Sequence, residues 1–302
     1  MMMRIATFAL SDQMVAGALR TQATMANLQV QESSGLKSET FAGYGSDTQH
    51  VVNLQVSVAR AQSHIDAATL ADSKVQVMYS AVGSMTDIIT QLRTQLSAAT
   101  TGGSTETSSA ISSAQQLLTQ MGSLLNTQYD GKYLFGGARD STAPVDLTSF
   151  ASGTGSTTTA DTSYYKGDGE IASVRVADDQ TVSYGVTADN SAFEQVMRTL
   201  KFVANSSSLS SSDITRALDL ASNALSATTA VQAKLSSAAT QIESASALQS
   251  DYRSFAQTLS SDLTGVDVAA VTAQLSTYQT QLTASYSAIA KIQGLNLASY
   301  LK

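Results

Sequence analysis

Residues 54–96 read LQVSVARAQSHIDAATLADSKVQVMYSAVGSMTDIITQLRTQL, and the spacing in this run decides the fold. Apolar side chains fall at Leu54, Val58, Ala61, Ile65 and Ala68, then at Val75, Met78, Val82, Met85, Ile89, Leu92 and Leu96. Steps of four and three alternate, which gathers these positions onto one stripe of an α-helix. Asp72 interrupts the stripe and Ala71 substitutes for it. About six heptads in succession predict a coiled-coil helix roughly 75 Å long.

Downstream, residues 100–107, with Gly102 and Gly103, break the helix. A second stripe follows at Ile111, Ala114, Leu118, Met121 and Leu125. Two helices joined by so short a loop pack antiparallel. The C-terminal third repeats the pattern. Ile214, Leu218, Ala221, Leu225, Leu235, Ile242, Tyr252 and Leu259 mark one long helix with a Ser/Ala-rich seam. After Gly265 a cleaner stripe runs through Val268, Val271, Leu275, Tyr278, Leu282, Ile289 and Ile292. Upstream, Met14, Ala18, Thr21, Met25 and Leu28 form a shorter one, stopped at Ser33-Ser34-Gly35. Neither end buries its seam alone, so the two ends are expected to pack on each other.

The middle differs. Residues 149–163 are rich in Gly, Ser and Thr and read as loop. Residues 171–176 and 181–186 flank Asp178-Asp179-Gln180 as a β-hairpin, and Tyr164, Tyr165, Phe193 and Phe202 are expected to form a small core around it. Residues 205–212 are a Ser-rich linker back to helix. The expected fold is therefore mainly α: a long antiparallel coiled-coil helix bundle formed by the N- and C-terminal regions, with a small β-containing insert. Residues 1–45 with 265–302 would be terminal helices forming an inner domain, 46–138 with 201–264 a helical rod, and 139–200 the outer insert.

Composition supports long helices. The 302 residues include a single proline, Pro144, where about 5% is usual. The apolar content is mostly Ala, Leu, Val and Ile, with no tryptophan. Small side chains let helices approach closely. No cysteine is available for disulfides or a thiolate metal site, and a net charge of −7 without a basic patch gives no nucleic-acid footprint. No apolar run approaches the roughly 20 residues that span a bilayer. The first ten residues lack the apolar stretch of a classical signal peptide, and the triple Met leaves Met3 open as the start.

Catalytic and metal chemistry finds little to stand on. His50 and His64 are the only histidines, too few to hold a metal without cysteine. No Gly-x-Ser-x-Gly elbow occurs between strand and helix. Gly136-Gly137 and Gly167-Asp168-Gly169 lack the Lys-Ser/Thr or third glycine of a nucleotide loop and read as turns. Asp178, Asp179 and Asp189 have no calcium-loop spacing. No catalytic, cofactor-binding or metal-binding residue is expected. What remains is the weakness of the terminal seams, which reads either as a self-contained bundle or as subunit association.

Several segments resemble one family, the bacterial flagellins and flagellar hook-associated (hook–filament junction) proteins. Met3-Arg4-Ile5-Ala6-Thr7 resembles the opening of the junction proteins. Gln31 to Lys37 carries the Ser33-Ser34-Gly35 signature that follows the first helix in both branches. Asp130-Gly131-Lys132-Tyr133-Leu134-Phe135-Gly136-Gly137 is similar to the segment closing the second rod helix of junction proteins, and Tyr165-Lys166-Gly167-Asp168 to the entry of their outer domain. Leu295-Asn296-Leu297-Ala298-Ser299-Tyr300-Leu301 resembles the terminal apolar signature, its Tyr-Leu ending leaning to the junction branch. Residues 41–47 lack the proline and paired aspartates usual there, and Leu36-Lys37 looks more like filament flagellin.

The resemblance implies a non-enzymatic structural subunit, exported unfolded through the flagellar type III channel, without cofactor and without membrane insertion. Its partners would be copies of itself, other junction, hook or filament proteins, and an export chaperone at the C-terminal helix. The assembly interface would comprise Met14, Ala18, Thr21, Met25, Leu28, Val268, Val271, Leu275, Tyr278, Leu282, Ile289, Ile292, Leu295, Leu297 and Leu301. The hook–filament junction is the leading placement. A filament-forming flagellin and a secreted surface adhesion module are the alternatives.

Overall fold

The computed structural model describes residues 2–150 and 155–294. Helix α1 spans Met2–Ser34, and a 3-10 stretch at Phe41–Asp47 leads into α2, Thr48–Thr101. α3 (Ser104–Leu125) follows directly. Two residue pairs, β1 (Gln128–Tyr129) and β2 (Lys132–Tyr133), make a minimal hairpin, and a turn of helix, α4, lies at Leu147–Phe150. Strands β3 (Ser173–Ala177) and β4 (Gln180–Ser183), helix α5 (Ser191–Ala204), and the long helices α6 (Ser211–Thr264) and α7 (Val268–Gly294) complete the chain. This is the long helix bundle with a small β-containing insert that the heptads imply.

The chain divides into two compact units. One comprises Arg60–Tyr252, the other Met1–Ala59 with Arg253–Lys302.

The first unit holds one continuous core. The α2 stripe supplies Val75, Met78, Val82, Met85, Ile89, Leu92 and Leu96, all nearly solvent-free, and Ala71 is buried where the heptad skips Asp72. α3 contributes Ala114, Leu118, Met121 and Leu125, and α6 contributes Ile214, Ala221, Leu235 and Ile242. Burial of each large side chain contributes about 1.5–3 kcal/mol relative to leaving it exposed. In α3, the Glu106 carboxylate accepts the Gly103 N–H at 2.8 Å, so the helix restarts immediately after the glycine break.

The insert grows from the same core. In β3, Val174 and Val176 are buried while Ser173 and Arg175 face out, the alternation of a half-buried strand. Val174 pairs with Val182 across the antiparallel ladder. α5 is capped by Asn190, whose Oδ1 accepts the Ala192 N–H at 3.0 Å. Of the four aromatics expected to make this core, Tyr164 and Phe193 are fully buried, and Tyr165 and Phe202 pack half-buried against the same continuous core. Phe135 meets Phe193 edge-on at 5.9 Å, and Phe150 meets Tyr164 at 4.9 Å.

The second unit is thinly packed. α1 and α7 lie against each other, and its apolar nucleus is Leu28, Val271 and Leu275, with Met25, Val266 and Tyr278 around them.

Candidate assembly surface

Three features bear on the expected interface: the paired terminal helices, the turn that fastens them, and the segments that root the insert. α1 turns its stripe inward. Ala18 and Leu28 are buried, and Met14, Thr21 and Met25 are half-buried. On α7, Val271 and Leu275 are buried, and Tyr278, Leu282, Ile289 and Ile292 are half-buried. Val268, at the start of α7, is 44% exposed. Leu295, Leu297 and Leu301 lie outside the described residues. Most of the sequence-identified stripe therefore contributes to the contact of α1 with α7 within one chain. Among the described residues, large side chains left open in this unit include others: Val15, Leu19 and Val30 on α1, Tyr286 on α7, Phe255 and Leu259 on α6, and Leu36, Phe41 and Val56. Val15, Leu19 and Val30 escape a heptad reading because they follow Met14, Ala18 and Leu28 by one or two positions, and periodicity names the strongest face only.

Ser33-Ser34-Gly35 ends α1 and builds its fastening. Both serine hydroxyls bond the Val30 carbonyl, at 3.0 and 2.7 Å. Gly35 then takes a φ of +69°, and its N–H returns to the Gln31 carbonyl at 2.8 Å. Only glycine adopts that backbone without strain. The chain so turned lays Leu36 antiparallel against Gly265, between α6 and α7. The Lys37 N–H donates to the Thr264 carbonyl at 2.8 Å, and the Val266 N–H donates to the Gly35 carbonyl at 3.0 Å. The Lys37 ammonium, on the carbonyl of Leu263 at 2.7 Å, sits at the C-terminal end of α6, where a cation is favoured. Thr272 on α7 donates to the Glu32 carboxylate at 2.8 Å. Asp267 caps α7 by accepting the N–H groups of Ala269 and Ala270.

Tyr133 to Gly137 roots the insert. Asp130 and Gly131, both at positive φ, make the two-residue loop between β1 and β2. An Asp-Gly pair is the sequence signal for such a hairpin, which periodicity alone passes over. The Tyr133 and Leu134 N–H groups donate to the carbonyls of Asp140 and Thr127, and the Phe135 carbonyl accepts the Ala188 N–H at 2.9 Å. Gly136 and Gly137 meet the Gly167-Asp168 turn. At Gly137, φ +70°, a Cβ would come within 2.1 Å of Asp168 Oδ1. That same oxygen accepts the N–H groups of Ala138 at 2.8 Å and Glu170 at 3.1 Å. Two sequence segments thirty residues apart thus form one joint.

Several charged groups pair within the fold. Arg60 and His64 on α2 reach Asp178 in the β3–β4 turn at 2.7 and 3.4 Å, and the Arg60 hydrogen bond holds the Asp178 carboxyl below the usual range. His50 stands on α2 apart from any such pair, beside Leu54 and Leu259. In the insert, Lys201 binds Asp161 at 2.8 Å and lies 4.4 Å from the Phe150 ring centroid. Among the described residues no cluster of His, Asp and Glu could hold a metal ion, and no helix is long and apolar enough to cross a membrane.

Comparison with known proteins places this geometry. The family model of the bacterial flagellin N-terminal helical region matches residues 5–140, and that of the bacterial flagellin C-terminal helical region matches residues 218–301. No curated protein sequence matches. Among solved structures, the fold is similar to that of a protein described as flagellar hook-associated, from Vibrio parahaemolyticus. The identity is 14%, covering 72% of this chain and 97% of that one, with a TM-score of 0.60. FlgL of Bacillus cereus aligns at 14% identity, 72% and 98% coverage and a TM-score of 0.42. Flagellar hook associated protein-3 of Legionella pneumophila aligns at 14% identity, 72% and 97% coverage and a TM-score of 0.46.

Proposed function

The chain belongs to the bacterial flagellin family, whose N- and C-terminal helical regions it carries, and from that premise we propose that it polymerises through its terminal helices at the hook–filament junction. The observation that carries this reading is the contrast between its two units. A unit whose nucleus is Leu28, Val271 and Leu275 has little apolar burial of its own. It nevertheless leaves Leu19 and Phe255 60% and 65% exposed, with Val15, Val30 and Val56 beside them in the count of open side chains. Exposed apolar area on this scale marks an association surface. Neighbouring copies would supply the burial that the isolated chain lacks.

On this reading residues 1–45 with 265–302 form the inner assembly domain, 46–138 with 201–264 the rod, and 139–200 the solvent-facing insert. The subunit travels unfolded through the flagellar export channel, its C-terminal helix held by a chaperone, and folds at the distal end as an extracellular part of the flagellum. The junction placement draws support from the hook-associated description of the Vibrio parahaemolyticus protein and from the Asp130–Gly137 segment.

Electron microscopy of cells lacking the gene tests the placement. Bare hooks are expected, and hooks carrying normal filaments would refute it. Removing residues 268–302 should leave a soluble chain that does not assemble, and polymers of that truncated chain would refute the role of the terminal helices.

A further inference from the structure

Arg60 and His64 stand one turn apart on the same face of α2, and both meet the turn between β3 and β4. They divide one carboxylate between them. Arg60 Nη1 donates to Asp178 Oδ2 at 2.7 Å, and His64 Nε2 lies 3.4 Å from Asp178 Oδ1. The other ring nitrogen, His64 Nδ1, lies 3.3 Å from the Arg175 carbonyl on β3. The ring is enclosed between helix and hairpin. Its side chain is 14% exposed, against 57% for Arg60 and 58% for Asp178. The Arg175 guanidinium is engaged within its own hairpin, donating to the carbonyls of Ala177 and Asp178.

Both partners of the imidazole are acceptors, since neither a carbonyl nor an ionised carboxylate offers a proton. The neutral ring carries one N–H and leaves one of these oxygens facing a bare nitrogen. The imidazolium carries two and satisfies both. We infer that His64 is a proton-operated latch, pinning the β3–β4 hairpin to α2 while the ring is charged and slackening when the ring loses its proton. The charged groups at the ring are Arg60 from α2 and Arg175 and Asp178 from the hairpin, with Asp179 next in the chain. Hydrogen bonds from Arg60 and then His64 hold the Asp178 carboxyl below the usual range, so the acceptor stays ionised across neutral pH. Histidine is the side-chain type in this set whose charge changes between about pH 5 and pH 8. A two-stranded ribbon is marginal by itself, so its docking matters to its order. Val174, Val176 and Val182 already bury its inner face. The latch therefore governs the turn end of the hairpin, not the whole insert. Its contribution is present where the ring is protonated and is lost as pH rises.

The test follows backbone hydrogen exchange in the full-length chain at about pH 5.5 and about pH 8, either side of the ordinary histidine value, with each rate divided by the intrinsic rate at that pH. Residues 173–183 should lose protection by about three- to tenfold at the higher pH, the effect of one charged hydrogen bond reduced for its partly exposed setting. His64→Gln should remove that dependence. His50→Gln, on the same helix beside Leu54 and Leu259, should keep the wild-type ratio. The buried Leu118 and Met121 of α3 report on unfolding of the core, and their amides should not change. If wild type shows no pH dependence, or His64→Gln shows the same one, the ring is not a latch and the inference is overturned. A loss shared equally by Leu118 and Met121 would assign the effect to the core and overturn it too. Asp178 lies in an exposed turn, so Asp178→Asn keeps the test open if His64→Gln does not fold. That variant should shrink the ratio, and an unchanged ratio would count against the latch.

Discussion

The backbone N–H of Lys37 donates to the carbonyl of Thr264 at 2.8 Å, joining the residues just after α1 to the end of α6. That pairing depends on the turn at Gly35, whose φ of +69° directs the chain toward Gly265. Gly35→Val should cost about 1–2 kcal/mol for a branched residue forced into the left-handed region. Gly35→Asn, which tolerates that region, should recover most of the loss. Thermal unfolding of the three chains, with hydrogen exchange at Lys37 and Val266, checks the order. Equal stability of Val and Asn variants would mean that the turn is not what fixes the clasp.

Asp168 holds the insert to its root through one oxygen, Oδ1, which accepts the N–H groups of Ala138 and Glu170. Asp168→Ala leaves both donors without this acceptor and should cost about 1–3 kcal/mol. Asp168→Asn keeps an oxygen at the same place and should cost less. Limited proteolysis within residues 138–170 reads the local loosening directly. Matching cleavage rates in Ala and Asn variants would contradict a hydrogen-bonding role.

The two units should respond oppositely to apolar substitution. Leu92 is 1% exposed within the continuous core, so Leu92→Ala should destabilise the chain by about 2–5 kcal/mol. Leu19 is 60% exposed on α1, so Leu19→Ser should leave stability within about 0.5 kcal/mol and impair polymerisation instead. Denaturant melts paired with sedimentation separate the two effects. A large stability loss for Leu19→Ser would place it in a core rather than at an interface.

Much of this architecture was readable because the α2 stripe repeats the same alternation for about six heptads, so that even the skip at Asp72 resolved to Ala71. The hairpin around Asp178 followed from alternation, though its strands are Ser173–Ala177 and Gln180–Ser183 where 171–176 and 181–186 were expected: the second strand stops at Ser183 and takes in Gln180 from the expected turn. What periodicity does not carry is the choice between faces of one helix. Leu19 and Leu28 are both leucines of α1, yet one is open and the other closed, because α7 covers only one side. The joint of Gly137 with Asp168 was equally illegible, since nothing local ties two turns thirty residues apart.

The remaining prediction concerns pH. Partial burial pushes the Asp161 carboxyl upward, but hydrogen bonds from Lys201 and Ser163 outweigh it and hold the group at about 2. A folded pKa below the unfolded one stabilises the native state above the unfolded value of about 3.9, and that contribution disappears as pH falls through the folded value. The insert should therefore lose stability between about pH 4 and pH 2, by about 1–2 kcal/mol after discounting for the solvent reaching this partly exposed pair. Asp161→Asn should be less stable than wild type at pH 7 and should flatten the acid limb over that interval. Its signature lies in the loop that Asp161 anchors, because the Asp161 N–H also binds the buried Glu194 carboxylate at 2.9 Å. Near-ultraviolet dichroism of the Tyr164 and Phe150 cluster, followed from pH 5 to pH 2 in both chains, reports it. Coincident acid transitions would show that the Lys201–Asp161 pair contributes nothing to the insert's stability.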